Sequence, residues 1–320
     1  MQVGLIGTGY AAKLRAQTLL KDERADLIAV VGGNTPLKTE AFAKDFQCQV
    51  LESSHQLIEK EDIELVIVSN VNSEHGAVAR AALEADKHVV IEYPLSLDLV
   101  EASELINLAK SKNKLLHVEH IELLGGLHQA LKQNIYKVGN LFYVRYSTIK
   151  PENPAPRKWT YSHNLFGFPL TGAISRLHRL INLFGEVKTV NCHSRFKETE
   201  VEFYQSCFCT AQLNFTNGLF AEVVYAKGET IWEAERKFEV HGENGGLIFN
   251  SQEGFFINSQ ATIPIEVASR RGLFAKDTAM VLDYLFDGTP LYVTPEESLY
   301  ALKVADAARK SAETGITITV

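Results

Sequence analysis

The stretch Val3-Gly4-Leu5-Ile6-Gly7-Thr8-Gly9-Tyr10-Ala11-Ala12 decides how the rest of the chain is read. An apolar run suited to a strand buried on both faces passes into a GxGxxA turn, and helical spacing follows. Gly7 permits the tight turn, Gly9 lets a pyrophosphate approach the backbone, and Ala12 keeps the helix close to the sheet. The N-terminus of that helix attracts the anion. A strand before the loop and a helix after it set this apart from a simple tight turn. Gly7, Thr8, Gly9, Tyr10 and Ala11 are therefore read as contacts to a dinucleotide.

Outward from this loop, short apolar runs recur at residues 3–6, 27–32, 65–69, 88–92 and 115–119, separated by segments with Ala, Leu, Val and Ile at spacings of three and four. Continuous apolar strands alternating with amphipathic helices predict a doubly wound parallel sheet. Beyond residue 139 the rhythm changes to long strand-type runs joined by short turns such as Thr216-Asn217-Gly218, which favours antiparallel pairing. Helices are predicted at 168–185, 278–288 and 295–315. The expected fold class is α/β. An N-terminal Rossmann domain spans 1–119, and a C-terminal α+β domain with a large, mostly antiparallel open sheet spans 120–320.

The 320 residues are 46% hydrophobic and 22% charged, enough apolar content for two cores. A formal charge of −7 argues against nucleic acid or an anionic membrane as partner. Cys48, Cys192, Cys207 and Cys209 are too scattered for a disulfide framework, and Cys207 and Cys209 would share one face of a strand. No apolar run reaches the ~18 residues needed to span a bilayer, and the residues before the first strand show no basic region or cleavage signal, so no leader is expected. A cytoplasmic protein is expected, as a monomer or weak homo-oligomer.

An NAD-preferring domain usually ends its second strand in Asp or Glu, which binds the ribose hydroxyls. Here the residues are Gly32-Gly33-Asn34-Thr35, with Lys38 on the next helix. Asn34, Thr35 and Lys38 suit a 2′-phosphate, so NADPH is the expected cofactor, with a solvated surface role as the alternative for Lys38. After the strand at 65–69, Asn70, Asn72 and His75 lie where loops line the dinucleotide crevice; His75 serves there or as a helix cap.

Glu92-Tyr93-Pro94 falls at the carboxyl end of the strand at 88–92, on the rim where a nicotinamide meets its substrate, and the Tyr93-Pro94 bond is expected to be cis. The GxGxxA loop, the xNxxH loop, the acidic-X-Pro step and the open C-terminal sheet together resemble the Gfo/Idh/MocA oxidoreductases over the full chain. Most of them carry Glu-Lys-Pro, with the lysine exchanging a proton with a sugar hydroxyl; here the lysine is replaced by Tyr93. A histidine expected in the helix at 168–185 is replaced near Ser175, with Arg176 beside it. A phenol of pKa ~10 is a poor base for an alcohol near neutral pH.

Tyr93, together with Leu116-His117-Val118-Glu119-His120-Ile121-Glu122-Leu123-Leu124, NPAPRKWTY (153–161), FGFPL (166–170) and SRRGLF (269–274), is similar to biliverdin reductases of the cyanobacterial type. That resemblance implies NADPH-dependent reduction of biliverdin to bilirubin. A hydride goes to the central C10 methine, and a pyrrole nitrogen takes a proton. It implies Arg176, Tyr93 and Glu92 as catalytic, with Glu92 and Tyr93 also fixing the cofactor side. Substrate contacts fall to His120, Arg145, Arg176 and Arg179. Arg176 polarises the bilin or relays a proton; alternatively it and Arg179 lie on a solvated helix face. His117-x-x-His120 lacks a third ligand at recognisable spacing, so no metal is expected. A sugar or inositol dehydrogenase and a non-catalytic bilin or nucleotide sensor are the other readings.

Overall fold

The apolar runs of the first half pair into one sheet because segments of helical spacing flank each of them and cover both faces. A computed structural model of the protein describes residues 1–33, 35–198, 202–250 and 253–320, and it divides into two compact units. The first comprises Met1–Ile121 and Gly272–Leu299, the second Glu122–Arg271 and Tyr300–Val320.

The first unit runs β1 (Gln2–Ile6), α1 (Tyr10–Leu19), β2 (Asp26–Val31), α2 (Pro36–Phe46), β3 (Gln49–Val50), α3 (Ser54–Glu59), β4 (Leu65–Val68), α4 (His75–Glu84), β5 (His88–Ile91), α5 (Leu99–Ser111) and β6 (Leu116–Val118). The sheet order is β3-β2-β1-β4-β5-β6, with parallel pairings throughout. The strand order reverses between β1 and β4, and at such a switch point the outgoing loops diverge and leave room for a ligand. Local chemistry sets the helix starts. Ser53 and Asp98 accept the amide hydrogens of Gln56 and Glu101, and Pro36 opens α2.

The helix Leu273–Asp287 also belongs to this unit, although its sequence position groups it with the second half. Its Val281 and Leu282 are buried with Ala12, Ala16 and Leu19 of α1, a tertiary choice that its own amphipathic pattern does not announce.

The second unit contains α6 (Gly126–Asn134), β7 (Leu141–Pro151), α7 (His163–Phe166), α8 (Pro169–Gly172), α9 (Ser175–Phe184), β8 (Val187–Glu198), β9 (Tyr204–Phe215), β10 (Phe220–Gly228), β11 (Glu235–Gly242), β12 (Gly245–Asn250), β13 (Glu253–Ile257), β14 (Thr262–Ile265) and β15 (Ile318–Thr319). Its sheet order is β14-β13-β12-β11-β7-β10-β9-β8-β15, antiparallel except for the parallel pair β7 and β10. Cys207 and Cys209 do share a buried face, and the Cys209 sulfur lies 3.6 Å from that of Cys192. The single helix expected over 168–185 is two pieces, because Ala173 leaves the helical region at φ −110°, ψ 33°. The break lets the backbone at Gly172 approach Phe166, where a Cβ would lie 2.5 Å from the ring.

Candidate active site

Gly7 is held by geometry. Its φ is +114°, its amide donates to the Val31 carbonyl at 2.7 Å, and a Cβ there would lie 2.3 Å from the Ser69 carbonyl oxygen. Gly9, by contrast, begins α1 in an extended conformation with no side-chain cap, and a Cβ on it would meet nothing within 4 Å. Uncapped amides facing open space at a helix start fit an anion. Nearby, Ser69 Oγ and Asn70 Oδ1 are buried without a hydrogen-bond partner among the described residues. Both features suit a dinucleotide. Thr8 is half-buried, Ala11 likewise, and Tyr10 is exposed with its ring edge-on to Phe274 at 6.2 Å. Thr35 and Lys38 are exposed at the start of α2, and Asn34 lies outside the described residues. Gly32 is required because a Cβ would lie 1.7 Å from Thr39 Oγ1.

The loop after β4 holds Asn70, whose Nδ2 donates to Glu74 at 2.6 Å, and the buried Asn72. His75 does not cap α4, and it is 0% exposed. Its Nδ1 lies 2.7 Å from the Pro94 carbonyl and its Nε2 3.4 Å from the Asn70 carbonyl, so it ties this loop to the Glu92-Tyr93-Pro94 turn. Burial lowers its pKa, which keeps the imidazole neutral in that clasp. The Tyr93-Pro94 bond is cis, as expected from the sequence. The Tyr93 ring stacks on His120 at 5.6 Å and 9°, and His120 is itself buried, bonded through Nε2 to Ser298 Oγ at 2.9 Å. His120 thus supports the Tyr93 ring from below.

Beneath the turn lies a buried charge network that no periodicity along the chain signals. Arg15 Nε donates to Glu92 Oε1 at 2.8 Å, and its Nη1 donates to Asp277 Oδ2 at 2.7 Å and Thr278 Oγ1 at 3.1 Å. Asp277 also receives His117 Nε2 at 2.8 Å and the Tyr292 hydroxyl at 2.7 Å, so His117 is committed to a carboxylate. Glu119 shares a hydrogen bond with Glu92. Burial first, and Glu92 second, push the Glu119 carboxyl well above its usual range, which keeps a proton between the two. The only advance sign of this network was Glu119 in the HxEHxELL run; Arg15 and Asp277 are far apart in sequence.

In the second unit, Arg176 near the start of α9 donates from Nε to Thr148 Oγ1 at 3.3 Å and from Nη1 to Ser175 Oγ at 3.1 Å, with its guanidinium 5.4 Å from the Tyr225 ring centre. Arg179 is not a solvated residue. It is 1% exposed, donates to Glu122 at 2.8 Å and lies 5.7 Å from the Tyr146 ring centre. Arg270 also bonds Glu122, and Arg236 feels Arg270 and Arg176, so cations outnumber carboxylates on this patch. Arg145 differs from expectation. Glu235 at 2.9 Å, Glu222 at 3.4 Å and Glu239 at 3.4 Å surround it, a setting that repels a propionate. Among the described residues no group of three or more His, Cys, Asp or Glu is placed to hold a metal ion, and no helix is long and apolar enough to cross a membrane.

Known proteins match both units. Residues 1–120 match the model of an oxidoreductase family with an NAD-binding Rossmann fold, and residues 132–320 match that family's C-terminal alpha/beta domain. The crystal structure of biliverdin reductase in complex with biliverdin and NADP+ from Synechocystis sp. PCC 6803 is 49% identical and superposes with a TM-score of 0.96 over 98% of this chain and 99% of that one. Biliverdin reductase A of Mus musculus is 27% identical over 77% of this chain and 77% of its own length. The human protein of that name is 31% identical over 59% and 60%. With a glycine loop at the switch point of one unit and an open mixed sheet in the other, the chain belongs to the Gfo/Idh/MocA oxidoreductase family.

Proposed function

We propose that this chain is an NADPH-dependent biliverdin reductase that reduces biliverdin to bilirubin, with hydride arriving at the C10 methine carbon and a proton at a pyrrole nitrogen. The observation that carries the reading is Tyr93, stacked on the buried His120 at the end of β5, where an alcohol-oxidising relative needs a lysine. Likeness over nearly the whole length to a reductase bound to biliverdin and NADP+ supports the same substrate and cofactor.

The amides at the start of α1 hold the pyrophosphate, and Thr35 and Lys38 receive the 2′-phosphate. The dinucleotide, when bound, supplies the hydride. Glu92, fixed by Arg15, holds the turn in place, and Tyr93 offers a ring against which a planar group lies. A methine acceptor needs no strong base, which is consistent with the replacement of lysine and histidine. Arg176 keeps its proton, since a guanidinium has a pKa above ~12, and so it polarises the bilin or orders a water or propionate; direct donation occurs only in a coupled transfer. Arg236 and Arg270 extend the positive field towards the two propionates. The reading puts the enzyme in the cytoplasm as a monomer or weak homo-oligomer, without nucleic-acid or membrane partners.

Loss of biliverdin absorbance matched one-for-one by NADPH oxidation is the expected result. Tight bilin binding without turnover would favour a sensor. Oxidation of a sugar or inositol alcohol with NADP+ would favour the dehydrogenase reading.

A further inference from the structure

Lys227 on β10 is only 6% exposed and takes no part in the chemistry above. Its ammonium nitrogen lies 4.2 Å from the ring centre of Phe166, 4.6 Å from Tyr161, 5.5 Å from Tyr204 and 5.7 Å from Tyr225. Its hydrogen bond goes to the Thr160 carbonyl, which also accepts from the Tyr204 hydroxyl at 3.1 Å. Among the described residues it forms no ion pair. Glu152, the carboxylate that acts on it, is taken by Lys150 at 2.8 Å and the Tyr161 hydroxyl at 2.6 Å. A buried ammonium without a carboxylate is costly, and cation–π attraction recovers only part of that cost. An apolar side chain would fill this cage more cheaply, so the charge calls for a reason.

The reason lies on the Tyr225 ring. Arg176 rests on that ring as well, 5.4 Å from its centre, and its Nε bonds Thr148, the residue paired with Tyr225 across β7 and β10. We propose that Lys227 is a positioning residue for Arg176: its ammonium, held among four rings, sets the place of the Tyr225 ring that carries the guanidinium, and does so only while charged. The proposal rests on the bilin-side role given to Arg176.

Burial pushes Lys227 down to about 8; Arg176 and Lys150 act in the same direction, while Cys207 and Glu152 oppose it. Burial pushes the Cys207 thiol and the Tyr161 and Tyr204 phenols up. Glu152, which burial alone would raise, is held low by Lys150 and Tyr161. Mild alkali therefore discharges Lys227 while the Cys207 thiol and the Tyr161 and Tyr204 phenols keep their protons.

Two measurements on the full chain test this. In the first, protein labelled at lysine Cε and arginine Nε is titrated by NMR without substrate, from about pH 6.5 to about pH 9.5. The Lys227 signal is expected to titrate near 8, with the Arg176 Nε–H signal moving alongside it in wild type and staying still in K227R. A Lys227 signal that titrates at the ordinary lysine value, or an Arg176 signal indifferent to it, overturns the proposal. In the second, kcat with biliverdin is expected to fall roughly tenfold per pH unit above about pH 8 in wild type, with the NADPH KM unmoved. K227M should stay at the alkaline level at every pH, and K227R should lose the fall. A level wild-type profile, or the same fall in K227R, overturns the proposal. K227R and the NMR titration carry the test if K227M does not fold. A wild type that never turns over biliverdin overturns the functional reading instead, and the NMR titration still stands.

Discussion

Replacing Asp277 by alanine is expected to cost the first unit about 3–5 kcal/mol, the range for breaking a buried ion pair from one side. The magnitude follows from what is left behind. Asp277 is 0% exposed, and Arg15 Nη1 at 2.7 Å, His117 Nε2 at 2.8 Å and the Tyr292 hydroxyl at 2.7 Å all lose their acceptor where water does not reach. Each orphaned donor costs about 1–3 kcal/mol, and relaxation towards Glu92 and Thr278, which still bond Arg15, brings the sum down. Because Arg15 is on α1 and Asp277 on the helix Leu273–Asp287, the damage falls on the packing of those two helices. Urea unfolding gives the loss, and hydrogen exchange in α1 peptides locates it. Burial alone would raise the Asp277 carboxyl, but Arg15 and His117 outweigh it and hold the group below its usual range. Its stabilisation is therefore present above the unfolded value of about 3.9 and fades only as pH falls through the lower folded one. The gap between wild type and variant should stay level from about pH 5 to about pH 8. Removing both charges, Arg15→Met with Asp277→Leu, should recover most of the loss. A single-variant loss under about 1 kcal/mol, with the double variant worse, would refute the reasoning.

Glu119 runs the opposite way: the fold keeps a proton that the unfolded chain releases above about 4.5, so wild-type stability should decline as pH rises from there towards the folded value. Glu119→Gln should flatten that profile in urea midpoints taken across pH; a profile parallel to wild type would reject the shared proton. Lys38→Ala should raise the NADPH KM about tenfold with kcat unchanged, as for one lost contact to a phosphate, and an unmoved KM would return Lys38 to the solvated surface. Arg176→Ala should lower kcat by about 10²-fold while the NADPH Kd, read by fluorescence, stays near wild type. Arg179→Ala, because that residue is buried on Glu122, should instead show as lost stability; equal kcat losses at both sites would count against a specific role for Arg176. Gly7→Ala should cost about 2–4 kcal/mol, from the positive φ and the clash with the Ser69 carbonyl, and calorimetry showing undiminished NADPH binding would contradict the geometry.

The local parts of this protein are legible in its residues. A glycine loop after an apolar strand specifies a nucleotide turn because only glycine tolerates φ of +114° with a carbonyl 2.3 Å from its missing Cβ. The alternating strand and helix rhythm specified the parallel sheet for the same kind of reason, and Tyr93 in place of lysine could be read without any coordinates. Roles set by distant partners were not legible. Arg145 was a cation between aromatic residues in the sequence, and only the pairing of β7 with β10 and β11 brought Glu222, Glu235 and Glu239 around it. His75, His120 and Arg179 look like ligand contacts as residue types, and only the tertiary structure buries them against Pro94, Ser298 and Glu122. Arg15 and Asp277 meet across 262 positions of chain, and Lys227 sits among the rings of Tyr161, Phe166, Tyr204 and Tyr225. Periodicity reports which face of an element is apolar. It carries no information on which distant charge that face will meet, and such meetings set the burial and partners on which a side chain's chemistry depends.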